Sequence, residues 1–493
     1  MLEMAEQFSR NEVISIQERL DQKEAGLMQS LIRRAGELGF CGVDGPEAYG
    51  GLGLGKNLAA RILEHLSLNA SFSVTIGVTS GIGQLGISLF GTHEQKSQYL
   101  PKLTSGEAIG AYALSEPDSG TDALSLATTA KRQGDKWVLN GTKMWISNAA
   151  WADVFLVIAK VDGSQLAAFI VERDFPGVSV GREEHKLGLI GSSTARLVLE
   201  NAHVPQANLL HEPGKGHQVA LNALNLGRFK LGAMSLGPAR EAIWQSSLYA
   251  QERKQFGQPI GSFGLVKQKF ADMAALYFAA ESCLFRTGHN IDGAFKQFAG
   301  DVPGNMKAAR EFAIECSIVK VLASEIQAVI ADEALQVFGG YGFSEEFPMA
   351  RIYRDARVSK IYEGTNEINR IFIAEHSQRL LKSAKPPGDS FVSELLAQAL
   401  SKPVDQQVAL GALADLMILS FAEQSTRLRA DRLGGVAQMA YDRFANWANA
   451  RAGYAFQVIT SEEVTLPKPR PGHVAELSDA IFETRKPILQ RSL

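Results

Sequence analysis

The segment Tyr362-Glu363-Gly364-Thr365-Asn366-Glu367-Ile368 sets a carboxylate beside apolar residues and a Gly-Thr turn, just ahead of a run that continues through Ile371 and Ile373. Partial desolvation lifts a carboxylate from about 4.3 towards neutrality, where a general base works best. Glu363 is the candidate base, although an acidic residue also suits the first turn of a helix. Four other segments carry unusual chemistry. Tyr112-Ala113-Leu114-Ser115-Glu116-Pro117-Asp118-Ser119-Gly120-Thr121-Asp122 ends a strand in a turn rich in hydroxyls, which can donate to a polar ring edge or a phosphate. Trp145-Ile146-Ser147-Asn148 offers an aromatic face with an adjacent hydroxyl. In Glu252-Arg253-Lys254-Gln255-Phe256-Gly257 the arginine can pair with a pyrophosphate, and the glycines of Gln336-Val337-Phe338-Gly339-Gly340-Tyr341-Gly342 let a ligand approach the backbone. Each has an ordinary structural reading as well: a turn, a core tryptophan, a solvated helix face, a helix stop.

The elements that must position these residues follow from periodicity. Up to about Glu107 the pattern is helical, with Leu27, Leu31, Ile32, Ala35 and Leu38 at helical spacing. The stretch Gly50-Gly51-Leu52-Gly53-Leu54-Gly55 interrupts it and reads as a turn, because it lacks the lysine and hydroxyl of a phosphate loop. From about Ile109 to Pro205 the period is two. Asn140-Gly141, between Trp137-Val138-Leu139 and Thr142 to Ile146, predicts a type I′ hairpin, with further strands at Val154 to Val161, Leu166 to Glu172 and Ala195 to Leu199. After about Gly214 helices return. Phe270, Met273, Ala274, Tyr277 and Phe278 form one stripe, and Phe312, Cys316, Val319, Ala323, Ile326 and Ile330 another, as in a bundle. Lys385-Pro386-Pro387-Gly388-Asp389 reads as a linker, followed by helices around Val404 to Leu428 and Val436 to Phe456 and a Pro-rich connector at Leu466 to Gly472. The expected fold is α+β and mainly helical. Its expected divisions are an N-terminal helical domain (1–108), a middle β-barrel or sandwich domain (109–208), a helical bundle (209–384) and an appended helical region (385–493).

The chain of 493 residues is 45% hydrophobic and 21% charged, enough for several cores. A net charge of −3 with dispersed Lys and Arg gives no basic stripe, so no nucleic acid is expected. Cys41, Cys283 and Cys316 lie far apart among apolar residues and have no metal-ligand spacing, so no metal is expected. Met1 to Leu20 has neither a basic leader nor an apolar core of a signal. The longest apolar stretch, Ala409 to Phe421, is broken by Asp415, so no transmembrane segment is expected, and the location expected is cytoplasmic or an organelle matrix.

Taken together the five segments resemble the acyl-CoA dehydrogenase flavoproteins over roughly Met1 to Leu381, most closely the very-long-chain branch, with Asn225-Leu226-Gly227-Arg228-Phe229 and the extra C-terminal region in common. Relative to that family the chain is expected to start inside the first helix. The resemblance implies FAD between the middle domain and the bundle, and dehydrogenation of fatty acyl-CoA thioesters in β-oxidation. Glu363 would remove the α-proton while the β-hydrogen leaves as hydride to flavin N5. The Glu363 N–H, with a ribityl hydroxyl, would polarise the thioester carbonyl. Tyr112, Leu114, Ser115, Gly120 and Thr121 would line the flavin, with Trp145 and Ser147 on its other side. Arg253 and Phe256, with Gln336, Gly339 and Gly340 of a neighbouring subunit, would hold the pyrophosphate and adenosine end. Thr365 and Glu367 would contact the cofactor after the base, and Thr121, Asn225, Arg228, Tyr362 and Gly364 the substrate. An electron-transferring flavoprotein is the implied acceptor, and a homodimer or homotetramer the implied assembly. Two alternatives keep the fold: an oxygen-reactive oxidase or monooxygenase, and a non-catalytic assembly protein. The acyl chain is expected to run past Ser73 to Gly81, where Gly77 and Gly81 on one helical face would leave room for medium to long tails.

Overall fold

The computed structural model describes residues 1–381 and 388–483. These form two compact units, Met1–Met234 with Gly288–Ala313, and Ser235–Thr287 with Ile314–Leu493. Of the expected linker, Lys385, Pro386 and Pro387 lie outside the described residues, as does the bundle boundary at 384.

The first unit opens with helices α1 (Leu2–Phe8), α2 (Gln17–Asp21), α3 (Leu27–Glu37), α4 (Lys56–Leu66), α5 (Ala70–Thr79), α6 (Ile82–Phe90) and α7 (His93–Thr104). Helix α3 buries the predicted stripe through Leu31, Ile32 and Ala35. The glycine-rich stretch is turn chemistry, as expected. Gly50 (φ +85°) and Gly53 (φ +62°) are left-handed, while the amides of Leu52, Gly53 and Leu54 donate to the carbonyls of Gly42, Gly45 and Val43 at 2.8–2.9 Å.

The sheet of this unit comprises β1 (Gly110–Ala113), β2 (Thr129–Gln133), β3 (Lys136–Ser147), β4 (Val154–Val161), β5 (Gln165–Glu172), β6 (Val178–Glu183), β7 (Thr194–Pro205) and β8 (Leu209–Leu210). Its order is β6-β7-β3-β2-β4-β5-β8, with β1 parallel to β4. The expected hairpin at Asn140-Gly141 is not a turn. β3 runs straight through it, and the reversal falls at Gly134-Asp135, where Gln133 pairs with Lys136 and only Gly134 (φ +62°) is left-handed. Asn140-Gly141 instead forms a β-bulge against β7. A Cβ at Gly141 would lie 2.4 Å from Thr128 Oγ1, and the Asn140 side chain accepts from the Asn201 amide at 2.8 Å, so this pair serves close strand packing.

The chain passes between units along α8 (Gly216–Glu252), α9 (Gly264–Phe298), α10 (Val302–Glu311) and α11 (Ala313–Phe338). The second unit continues with α12 (Pro348–Ala356), α13 (Asn366–Leu381), α14 (Phe391–Leu400), α15 (Gln407–Leu433), α16 (Gly435–Thr460) and α17 (Val474–Glu483). The appended helices share a core with α9: Ala271 and Phe278 pack with Ala430, Tyr441, Ala445 and Leu477. The Pro-rich connector before α17 is strapped to α16 through the Asn446 side chain, which donates to the Arg470 carbonyl (3.0 Å) and accepts from its amide (2.8 Å).

Two stretches are long and apolar enough to cross a membrane by length and composition, Ala70–Phe90 and Gln407–Leu433. They bury 83% and 61% of their apolar windows within the protein, the pattern of core helices. All three cysteines are buried free thiols.

Candidate active site

In the second unit, Glu363 and Gly364 both adopt left-handed backbone (φ +57° and +81°). For glycine this costs little; for glutamate it stores strain of about 1–3 kcal/mol, which persists only where the surroundings over-determine it. The determinants are on three sides. Lys320, fully buried on α11, donates its ammonium to the Gly364 carbonyl (2.8 Å) and to Asn366 Oδ1 (2.6 Å). From α13, Asn369 donates to the carbonyls of Gly364 (2.9 Å) and Thr365 (3.0 Å). Thr365 caps α13, its hydroxyl accepting from the Ile368 amide at 3.3 Å. The helix after the turn is therefore the one the sequence predicts, and the turn before it is more constrained than the sequence shows.

Glu363 is half-buried with its Oε2 shielded from solvent, which matches the partial desolvation expected of a base. Burial first, then the carboxylates of Glu363 and Asp355, push the neighbouring Tyr362 phenol well up, so Tyr362 stays neutral. Glu367 is exposed at the start of α13. Its own backbone amide, then the Thr365 hydroxyl, hold it below the usual carboxylate range.

Around this turn lie charges that periodicity did not single out. Arg370 on α13 makes a bidentate pair with Glu325 on α11 (2.7 and 3.0 Å) and a third bond to Asp415 on α15 (2.8 Å). Glu325 also accepts from Asn366 Nδ2 at 3.1 Å. Lys320 carried a signal that went unused: it lies four residues after Cys316 and three before Ala323, on the face that the stripe assigns to the core.

Elsewhere in the second unit the two adenosine-end segments, expected to come from neighbouring subunits, also meet within one chain. The Arg253 guanidinium lies over the Tyr341 ring at 5.6 Å, and Tyr249 stacks on Phe338 at 4.2 Å. Phe256 is left-handed (φ +51°) and 93% exposed. Gln336, Gly339 and Gly340 are exposed, and a Cβ at either glycine would meet nothing within 4 Å.

The first unit carries the remaining candidates. Tyr112 and Leu114 are buried at the end of β1, Ser115 is half-buried, and Gly120 and Thr121 are exposed in the following turn. A second bulge in β3 puts Trp145 into left-handed backbone (φ +61°) and leaves it 56% exposed, so it is not a core tryptophan. Ser147 is half-buried nearby on the strand. Bulge and turn are fixed to each other: the Met144 amide donates to the Ser115 carbonyl at 2.8 Å, and buried Lys143 donates to the Leu114 carbonyl (3.0 Å) and Glu116 (2.7 Å). Burial pushes the Lys143 amine down to about 8 against the opposing pull of Glu116. Asn225 and Arg228 are both buried on α8 and joined at 3.3 Å. The expected room at Gly77 and Gly81 is filled. A Cβ at Gly77 would lie 2.7 Å from Met234 Sδ, so Gly77 lets α5 pack closely on α8, and one at Gly81 would lie 2.4 Å from the Gly77 carbonyl oxygen, so Gly81 serves the tight chain turn after α5.

An exposed, strained tryptophan beside a donor-rich turn suits a planar ring system, and an exposed arginine beside bare glycine backbone suits a diphosphate. These are the surfaces that a flavin dinucleotide needs. Family models match the acyl-CoA dehydrogenase N-terminal domain at 1–107, the middle domain at 111–202 and the C-terminal domain at 214–378. A probable acyl-CoA dehydrogenase of Bacillus subtilis (strain 168) is 44% identical over 446 residues, covering 82% of this chain and 75% of that protein. The very long-chain specific acyl-CoA dehydrogenase of Homo sapiens mitochondria is 35% identical over 89% of this chain and 67% of its own length. Among solved structures, an acyl-CoA dehydrogenase from Bacillus anthracis complexed with FAD superimposes with a TM-score of 0.91 at 38% identity, covering 98% of this chain and 94% of that one. The chain belongs to the acyl-CoA dehydrogenase family of FAD-dependent oxidoreductases.

Proposed function

We propose that this enzyme catalyses the α,β-dehydrogenation of fatty acyl-CoA thioesters in fatty-acid β-oxidation, with Glu363 as the base. The observation that carries this reading is the strained Glu363-Gly364 turn, held by Lys320 and Asn369 in a chain of this family. The Glu363 carboxylate takes the proton from the α-carbon. Its backbone N–H donates to the thioester carbonyl and so stabilises the charge that develops as the C–H bond breaks. Strained backbone at this residue fixes amide and carboxylate together, so one turn sets the donor and the base. Tyr112, Leu114, Ser115, Gly120, Thr121, Trp145, Ser147, Arg253, Phe256, Thr365 and Glu367, with Gln336, Gly339 and Gly340 of a neighbouring subunit, would hold FAD, which would supply the acceptor for the β-hydrogen as hydride. Thr121, Asn225, Arg228, Tyr362 and Gly364 bind the acyl-CoA, with the neutral Tyr362 adding no charge to repel the carboxylate beside it. An electron-transferring flavoprotein is the proposed acceptor, and a homodimer or homotetramer the proposed assembly.

Anaerobic mixing with a panel of acyl-CoAs tests this. Bleaching of the oxidised flavin by saturated fatty acyl-CoAs is the expected result. No bleaching across the panel contradicts it, and rapid oxygen consumption during turnover would assign an oxidase instead.

A further inference from the structure

We propose that Asp415, on the first long helix of the appended region, is a positioning residue for Glu363, acting through Arg370, Glu325, Asn366 and Lys320. Asp415 interrupts an otherwise apolar stretch, between Leu413, Ala414 and Leu416, which are fully buried. Its carboxylate has a partner across the helix interface.

Asp415 Oδ1 takes the Arg370 Nε proton at 2.8 Å. Both terminal nitrogens of the same guanidinium are committed to Glu325, at 2.7 and 3.0 Å. Glu325 Oε1 accepts from Asn366 Nδ2 (3.1 Å), Asn366 Oδ1 accepts from Lys320 Nζ (2.6 Å), and Lys320 Nζ donates to the Gly364 carbonyl (2.8 Å). The relay is continuous from α15 to the peptide that follows the proposed base.

Two cations and two carboxylates make the relay neutral overall. Without Asp415 the relay carries a net positive charge, and the Arg370 guanidinium loses one of its three bonds. Asp415 and Glu325 are 41% and 39% exposed, so the pairs act more through geometry than through raw stability. Misplacing a reacting group by about 1 Å costs up to about 10²-fold in rate, so a small relaxation of the turn is measurable.

The inference rests on the reading of Glu363 as the base, and the test separates the two. In the full-length holoenzyme, amide hydrogen exchange across 361–369 is compared between wild type, Asp415→Ala and Asp415→Asn. Alongside it, flavin bleaching by palmitoyl-CoA is followed in these proteins and in Glu363→Gln. Asp415→Ala is expected to exchange faster in this segment and to bleach about 10-fold more slowly, with the palmitoyl-CoA dissociation constant within about twofold of wild type. Asp415→Asn keeps an acceptor for Arg370 Nε and is expected to recover most of the protection and the rate. Wild-type exchange and rate in Asp415→Ala overturn the proposal. So does a lower melting temperature with an unchanged rate, which would mark Asp415 as packing alone. A near-native rate in Glu363→Gln would overturn the base reading by itself, and the exchange data would still decide whether Asp415 holds the turn.

Discussion

The ammonium of Lys320 donates to the carbonyl of Gly364 at 2.8 Å, so a fully buried lysine secures the peptide that follows a left-handed glutamate. Lys320→Met should leave the Gly364 carbonyl and Asn366 Oδ1 without this donor. The expected cost is about 1–3 kcal/mol of stability, with slower flavin reduction by acyl-CoA. Denaturant unfolding and single-turnover bleaching measure the two effects, and a variant as stable and as fast as wild type would remove Lys320 from the account.

Asp44 is a second buried charge whose partners set a pH dependence. Burial pushes its carboxyl up, but the ammonium groups of Lys230 (3.1 Å) and Lys56 (2.8 Å) outweigh burial and hold it well below the carboxylate range. A carboxyl lowered on folding contributes stability above its unfolded value of about 3.9, and that contribution is lost as pH falls through the folded value. Asp44→Asn should therefore cost about 3–5 kcal/mol near pH 7, with the gap to wild type narrowing below about pH 4. Urea unfolding from pH 7 to pH 3 checks the sign. A gap that widens in acid would contradict it.

Trp145 spends backbone strain on an exposed indole. Trp145→Gly should relieve about 1 kcal/mol of that strain in the apoprotein, because glycine accepts φ +61°, while FAD affinity falls with the lost ring. Melting of the apoprotein and flavin titration report the two separately. Unchanged FAD affinity would take Trp145 out of the flavin surface.

The appended helices complete the core around Phe278 on α9. Ending the chain at Leu381 should expose this face, and each large apolar side chain left uncovered forfeits about 1.5–3 kcal/mol. The shortened protein is expected to melt well below the full chain or to aggregate. An equal melting temperature would show that the helices are dispensable for stability.

Long-period features of this chain were legible in its sequence, and local chemistry less so. The stripe through Phe270 and Phe278 and the one through Cys316 and Ile330 each became a buried face of one long helix, because burial repeats over many turns. Asn140-Gly141 misled, since the same dipeptide that turns a hairpin can form a bulge, and only the pairing with β7 decides which. Gly77 misled in the same way: a bare helical face can admit a ligand or a neighbouring helix, and Met234 occupies it. Glu363 was legible as a residue, but its strain was not. The restraints come from Lys320 and Asn369, and Asp415 adds a link from α15, 45 residues from Arg370 in sequence.

The central claim is that Glu363 removes the α-proton. It is tested most directly by rapid anaerobic mixing of the Glu363→Gln holoenzyme with palmitoyl-CoA. The amide keeps the size and most of the packing of the carboxylate but cannot take the proton. FAD content and palmitoyl-CoA binding should stay near wild type while flavin bleaching slows by at least about 10²-fold. Bleaching at a near-native rate, in a protein that still binds both ligands, would contradict the account.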